Sequence, residues 1–365
     1  VGGPHTSVAL ETIPELVDFV VQGEGETVIV DILNGKFKQR IIKNNFEDLD
    51  SIPFQPWDIF SKLPYDFTCP WMDIKPVFVM NTSRGCPFNC TFCSVGSIWG
   101  KQHTCFSANR IISEIEYLIE NYGAKGIYFR EDNFTLNSKR AIEFCERLIK
   151  KNIKISWACE TRVDNLSEDL IKLMSESGCK AFYFGIESGS QRILDFLNKK
   201  ITVEQIENAI KWSKKYNIRA YCSLISGVPG ETYKDYLLTK RLMHKLKPYS
   251  YSFNIFVGIP DSTLYKYVIK NNLFEHIDDN GLIYLSGFDV KTRFFYGMKS
   301  KNFIDFDFKK RTGYDRILLF ILFFIKIKYF IKKVLIKILP DTIIKKIKKI
   351  YKKNICKTKI LKLLF

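Results

Sequence analysis

The stretch Ser83-Arg84-Gly85-Cys86-Pro87-Phe88-Asn89-Cys90-Thr91-Phe92-Cys93 sets three thiols at C-x3-C-x2-C spacing. Three thiolates from one loop can each take one iron of a cubane 4Fe–4S cluster, which leaves the fourth iron without a protein ligand. An open coordination position marks a catalytic metal rather than a structural one. Gly85 and Pro87 put the cysteines on a loop. A structural zinc is the competing chemistry, with His103 or Cys105 as a fourth ligand, although structural zinc ligands usually come as two short Cys/His doublets. On either reading Cys86, Cys90 and Cys93 are the expected metal ligands. The chain has ten cysteines in all, and others, such as Cys145 and Cys222, fall inside apolar patterns. Those read as buried thiols of a reducing cytoplasm, not as a disulfide framework.

Such a loop needs a scaffold. From about Val77 to Val257, short β-branched or aromatic runs alternate with amphipathic stretches. Strands are expected at Val77–Asn81, Gly126–Arg130, Ile155–Ala158, Ala181–Ile186, Ala220–Ser226 and Tyr251–Val257. Ile111, Ile112, Ile115, Leu118 and Ile119 share one helical face, and Asp164 or Ser167 caps a helix that Gly178 ends. Alternating strands and helices predict a parallel α/β sheet. Six units predict a partial (β/α)6 barrel with its chemistry at the strands' C-terminal ends. Four of those ends carry polar residues. They are Glu131 and Asp132 after the second strand, Arg162 after the third, Glu187 and Ser188 after the fourth, and Ser226 in Ser226-Gly227-Val228-Pro229-Gly230-Glu231-Thr232 at the fifth. Each also has a plain structural reading: an acid at a helix N-terminus, an Arg162–Asp164 surface pair, a Ser190 N-cap and a Gly/Pro turn capped by Thr232.

The C-x3-C-x2-C loop, with an aromatic before its last cysteine, resembles the signature of the radical S-adenosylmethionine superfamily. That resemblance implies a 4Fe–4S cluster whose open iron binds S-adenosylmethionine and whose electron cleaves it to methionine and a 5′-deoxyadenosyl radical. It places Phe92 beside the adenine, Glu131 or Asp132 on the ammonium, and Arg162 on the methionine carboxylate. Glu187 and Ser188 fall to the ribose or carboxylate, and the Ser226 stretch to the adenine. The likeness spans about Val1 to Tyr265. One departure stands in Pro260-Asp261-Ser262, where the family usually has Pro-Gly-Thr.

Upstream, Val17 to Val21 reads as a strand running into Gly23-Glu24-Gly25-Glu26, and Val28–Leu33 with Phe37–Ile42 flank Asn34-Gly35 as a hairpin. With Gly2 and Gly3 before Pro4-His5, this opening resembles the last third of a cobalamin-binding Rossmann-like domain. Glycines there let the backbone approach the cofactor. The resemblance implies cobalamin in the full-length protein and a subgroup like the anaerobic magnesium-protoporphyrin IX monomethyl ester cyclases. Because the chain starts at Val1, it is expected to be a fragment. The expected organisation is 1–44 cobalamin-domain remnant, 45–74 linker, 75–265 radical barrel, 266–315 extension and 316–365 tail.

The tail holds most of the charge. Residues 316–365 carry 15 Lys/Arg and one Asp, a net +14 of the chain's +17, leaving +3 for the other 315 residues. The nine apolar residues 317–325 fall short of the roughly 20 a spanning helix needs. After Pro340, Ile343, Ile344, Ile347 and Ile350 alternate with lysines at helical spacing. That pattern suits an anionic membrane surface, each Lys adding about 1 kcal/mol, though the same helix could pack on the barrel. Few aromatics argue against nucleic acid. The expected protein is a cytoplasmic radical enzyme, docking on the inner face of the membrane through its tail. Its partners are a small hydrophobic substrate and an electron donor such as flavodoxin or ferredoxin, and its reaction is methyl transfer, cyclisation or rearrangement. A radical enzyme without cobalamin and a non-catalytic, zinc-stabilised membrane-docking module are the alternatives.

Overall fold

The computed structural model describes residues 1–44, 48–274, 276–278 and 281–285, so the basic tail and most of the 266–315 extension lie outside the described residues. The chain opens with α1 (Pro4–Val8), β1 (Val20–Gln22), α2 (Glu26–Leu33) and β2 (Ile41–Lys43). β1 and β2 pair in parallel, Val20 opposite Ile41. This corrects the expected hairpin, because Val28–Leu33 is helical. Asn34 is the C-cap of α2 and Gly35 follows at φ +70. A helix end and a tight hairpin turn both favour a positive-φ residue, so Asn-Gly serves either. Val28 and Ile32 pack with Phe19, Val21, Phe37 and Ile42, and that packing overrides the β preference of Val28-Ile29-Val30.

After α3 (Trp57–Phe60) come β3 (Val77–Met80), β4 (Ser83–Arg84), α4 (Val95–Trp99), β5 (Thr104–Cys105), α5 (Ala108–Tyr122) and β6 (Gly126–Phe129). The alternation continues through α6 (Ser138–Lys150), β7 (Ser156–Thr161), α7 (Glu168–Glu176), β8 (Cys179–Glu187), α8 (Gln191–Phe196) and α9 (Val203–Lys215). It closes with β9 (Arg219–Ser226), α10 (Tyr233–Leu246) and β10 (Ser250–Ile255). Six strands form one sheet in the order β3-β6-β7-β8-β9-β10, every neighbouring pair parallel. This is the α/β architecture expected of a partial barrel. β7 runs three residues further than expected, through Thr161, and β8 starts two earlier, at Cys179. Beyond the sheet, β13 (Ile283–Tyr284) pairs antiparallel with β11 (Val257–Gly258) and β12 (His276–Ile277), and α11 (Thr263–Lys270) lies between β11 and β12 in sequence.

The helices bury their apolar stripes against the sheet. Ile111, Ile112, Ile115 and Leu118 of α5 are fully buried, as are Phe144, Cys145 and Leu148 of α6. Phe129, Phe134, Phe144 and Trp157 form an aromatic cluster with ring centroids 4.7–5.9 Å apart. Helix ends use local chemistry. The Ser167 hydroxyl, not Asp164, caps α7 by accepting from Leu170 N–H, and Thr232 forms a capping box with Asp235 on α10. Ser190 sits at the N-cap of α8, but its hydroxyl donates to Asp235 at 2.6 Å instead. The expected linker does more than connect. Cys69, Met72, Trp71 and Ile74 pack onto Val77, Tyr128, Ala158 and Ala181, with Trp71 3.9 Å from the Tyr221 ring. The small alanines leave room for the indole, and the segment packs onto the sheet.

Candidate active site

The cysteine loop leaves β3 and is held at its neck and its tip. At the neck, β4 pairs antiparallel with β5, Ser83 opposite Cys105. Gly85 follows at φ +82, where a Cβ would run into the Gln102 carbonyl oxygen, so only glycine fits. At the tip, Thr91 N–H donates to the Leu197 carbonyl (2.9 Å), its carbonyl accepts from Leu264 N–H (2.7 Å), and Asn198 Nδ2 donates to the Asn89 carbonyl (2.7 Å). Segments after β8 and β11 thus fix a loop that follows β3.

Cys86, Cys90 and Cys93 are free and half-buried. Burial pushes the Cys93 thiol up to about 11, and Cys90, Asp132 and Cys86 add to the push. Burial likewise raises Cys86, with Asp132 and Cys90 beside it. Three thiols close enough to resist one another's ionisation suit a cationic centre that would stabilise them as thiolates. Among the described residues no group of three or more His, Cys, Asp or Glu is arranged around a single metal ion. A cubane spreads its sulfur ligands over separate irons and needs no such convergence. His103 and Cys105, the candidate fourth zinc ligands, do not complete a single-ion site with the loop. Cys105 Sγ instead lies 3.8 Å from Asn137 Nδ2.

Beside the loop, at the C-terminal ends of the central strands, is a cavity of about 650 Å³. Of the sequence-predicted residues, Phe92, Asp132, Arg162 and Glu187 line it. Glu131 and Asp132 part company here. Glu131 faces the interior, accepting from Thr82 Oγ1 (3.1 Å) and pairing with buried Arg140 (3.3 Å). Asp132 faces the cavity. Burial and the Glu131 charge raise its carboxyl, and the Gly85 amide partly offsets this. Arg162 makes the Asp164 pair, 2.9 Å to each carboxylate oxygen. It also donates to the Lys199 carbonyl (2.6 Å), approaches Cys90 Sγ (3.6 Å) and stacks 3.7 Å over the Phe88 ring. Glu187, at φ +65, pairs with Lys199 at 2.8 Å. Gly185 leaves the space into which those two side chains fold.

Ser188 and Ser226, like Glu131, are not brought to this cavity. The buried Ser188 hydroxyl contacts Thr239 Oγ1 at 3.1 Å, and Ser226 holds Phe256 N–H through its carbonyl. On β9 it is Ser223 and Ile225 that line the cavity, and Ser226 falls on the alternate face by the two-residue period of a strand. Lys199, Glu160 and Asn254 also line it and were missed. Glu160 had a readable signal: it stands two residues before Arg162 on the same strand face. Burial raises its carboxyl and the Tyr128 hydroxyl donates to it at 2.5 Å. Lys199 had none, since Asn198-Lys199-Lys200 reads as a solvated turn. Asp261, the departure from the expected Pro-Gly-Thr, sits at φ +63, a conformation that favours glycine.

A second cavity, about 820 Å³, is lined by Gly2, Gly3, Phe19 and Glu24 of the N-terminal segment together with Arg84 and Trp99 of the barrel. Gly3 is at φ +103 and a Cβ there would meet open space.

Residues 80–243 match the Radical SAM superfamily. An uncharacterized methyltransferase of Pyrococcus horikoshii is 38% identical over 294 residues, covering 74% of this chain and 63% of that protein. The anaerobic magnesium-protoporphyrin IX monomethyl ester cyclase of Rubrivivax gelatinosus is 26% identical over 279 residues, covering 68% and 49%. The chain therefore spans about half to two thirds of the length of these relatives. In fold it is similar to the cobalamin-dependent S-adenosylmethionine radical enzyme OxsB with aqua-cobalamin bound, at TM-score 0.66, 17% identity and coverage of 79% of this chain and 51% of that one. A superfamily match that covers the cysteine loop and most of the parallel sheet identifies this stretch: residues 80–243 form a radical SAM domain.

Proposed function

We propose that Cys86, Cys90 and Cys93 hold a 4Fe–4S cluster and that the cavity beside them takes S-adenosylmethionine. The observation that carries the reading is three free thiols on one loop held from both ends, beside a cavity with charged walls. When bound, the cluster supplies the electron that cleaves S-adenosylmethionine reductively. The chain's own residues do the rest. Asp132 accepts the ammonium. Lys199, drawn into the cavity by Glu187, offers a cation for the carboxylate and tolerates burial because Glu187 neutralises it. Arg162 is held by Asp164 on one side and reaches Cys90 and Phe88 with the other, so it positions the loop as well as lining the cavity. Phe92 supplies a face for the adenine.

The reaction we infer is hydrogen abstraction or radical transfer at an unactivated carbon, with methyl transfer as the first reading and ring closure or rearrangement as the second. Gly2 and Gly3 are assigned to a cobalamin in the second cavity, whose mixed apolar and charged wall and open glycine backbone suit a large cofactor. Ile225, Ile255, Phe256 and Val257 give the first cavity an apolar wall suited to a hydrophobic substrate, and flavodoxin or ferredoxin would deliver the electron. The membrane expectation rests on the tail, outside the described residues. Among those described, no helix is long and apolar enough to cross a membrane.

Anaerobic reconstitution tests the reading. The protein should take up about four irons per chain and turn brown, then form 5′-deoxyadenosine from S-adenosylmethionine and a reductant. Cys90→Ala should abolish that product. A mutant that still makes it, or a colourless protein that binds zinc instead, removes the cluster.

A further inference from the structure

We propose that Arg84 is a positioning residue that couples the second cavity to the cysteine loop, so that what fills this cavity is felt at Cys86. The proposal rests on the reading of Cys86 as a cluster ligand. Arg84 lies in β4, the neck of the loop, two residues before Cys86. Its side chain leaves the barrel for the N-terminal segment. Nη1 lies 3.1 Å from Glu24 Oε1, and Nη2 pairs with Glu26. Glu24 is 2% exposed and Arg84 18%, so solvent and salt screen this pair poorly, while Glu26 is open to solvent. Two acids share one guanidinium. Arg84 also lies 5.6 Å from the Trp99 ring centroid, and both residues line the second cavity beside Gly23, Glu24 and Glu26.

Gly85 makes the connection stiff. Its backbone is at φ +82, and an added Cβ would collide with the Gln102 carbonyl oxygen and come within 3.3 Å of Trp99 Cβ, so the neck packs closely on that side. The link between Arg84 and Cys86 therefore has little room to absorb a displacement. A shift in the turn that opens α2 moves Glu24 and Glu26, hence Arg84, hence Cys86. A guanidinium can span both acids where an ammonium, a point charge, holds one.

Hydrogen exchange on the whole chain, with no metal required, tests the coupling. In Arg84→Glu the amides of 20–27 and of 85–99 should both exchange about tenfold faster. Adding Glu26→Arg to the same chain should restore both stretches. Acceleration in only one stretch, or no restoration by the swapped pair, overturns the proposal. If Arg84→Glu does not fold, Arg84→Lys decides: partial loss of protection in both stretches is expected, and wild-type protection overturns it. On reconstituted protein, the electron paramagnetic resonance spectrum of the reduced centre should shift in Arg84→Lys at unchanged iron content. An unchanged spectrum counts against the coupling. If wild-type protein takes up no iron, the cluster reading fails, while the exchange experiment still decides whether Arg84 links the two segments.

Discussion

The barrel and the N-terminal segment are both built of parallel strands and helices, yet they reach stability differently. In the barrel, strands β6 to β9 have sheet neighbours on both sides, and side chains such as Phe129, Trp157, Phe182 and Phe184 are fully buried. The N-terminal segment has two strands of three residues each and a small apolar cluster. It leaves Leu16 86% exposed and Leu33 80% exposed. Two strands of three residues bury little apolar surface between them. The segment's hold on the barrel comes in part from the Arg84 ion pairs. The cysteine loop is thus built on the extensively buried region, and the sparsely buried one is tied to it at that loop.

The comparison can be broken at several strengths. Phe144→Ala, in the centre of the aromatic cluster, should cost about 3–5 kcal/mol in urea unfolding. A smaller loss would mean that the barrel core is less tightly packed than its burial suggests. Glu131→Ala should also cost about 3–5 kcal/mol, because it strands Arg140 in the interior. Glu231 offers a pH test. Burial raises its carboxyl to about 7, against the opposing Gly227 N–H bond. Between the unfolded value near 4.5 and about 7 the unfolded chain releases a proton that the folded chain keeps, so stability falls as pH rises through this window. The loss should be on the order of 3 kcal/mol. Glu231→Gln should flatten that stretch of the profile, and a mutant with the wild-type slope would assign the effect elsewhere.

Asp132→Asn separates site from scaffold. It should weaken S-adenosylmethionine binding about tenfold, by calorimetry on reconstituted protein, while leaving the unfolding midpoint in place. A stability loss without a binding loss would return Asp132 to a structural role and reverse the contrast with Glu131. The smallest effect should come from the N-terminal segment. Leu33→Ala, at an exposed helix end, should stay within about 0.5 kcal/mol of wild type. A larger cost would show that the segment has a packing partner on that face.

Much of the barrel was legible beforehand, for a physical reason. A strand inside a parallel sheet is buried on both faces, so its residues form compact apolar runs bounded by turn chemistry, as Gly126–Phe129 does. The N-terminal hairpin was misread because Asn34-Gly35 satisfies two backbone geometries equally, and only the contacts of Val28 and Ile32 choose between them.

By itself the sequence determined the cysteine spacing, the strand and helix alternation, the capping residues, and which strand ends carry charge. Each of these depends on neighbours a few residues apart. Only the tertiary structure decided that Asp132 rather than Glu131 faces the cavity, that Ser188 and Ser226 point elsewhere, and that Lys199 meets Glu187 inside it. Those outcomes turn on which face of a strand end meets the neighbouring strands and the loops that follow them. Nor does local sequence show that Arg84 reaches Glu24, because charges 60 residues apart attract only once the fold has brought them together.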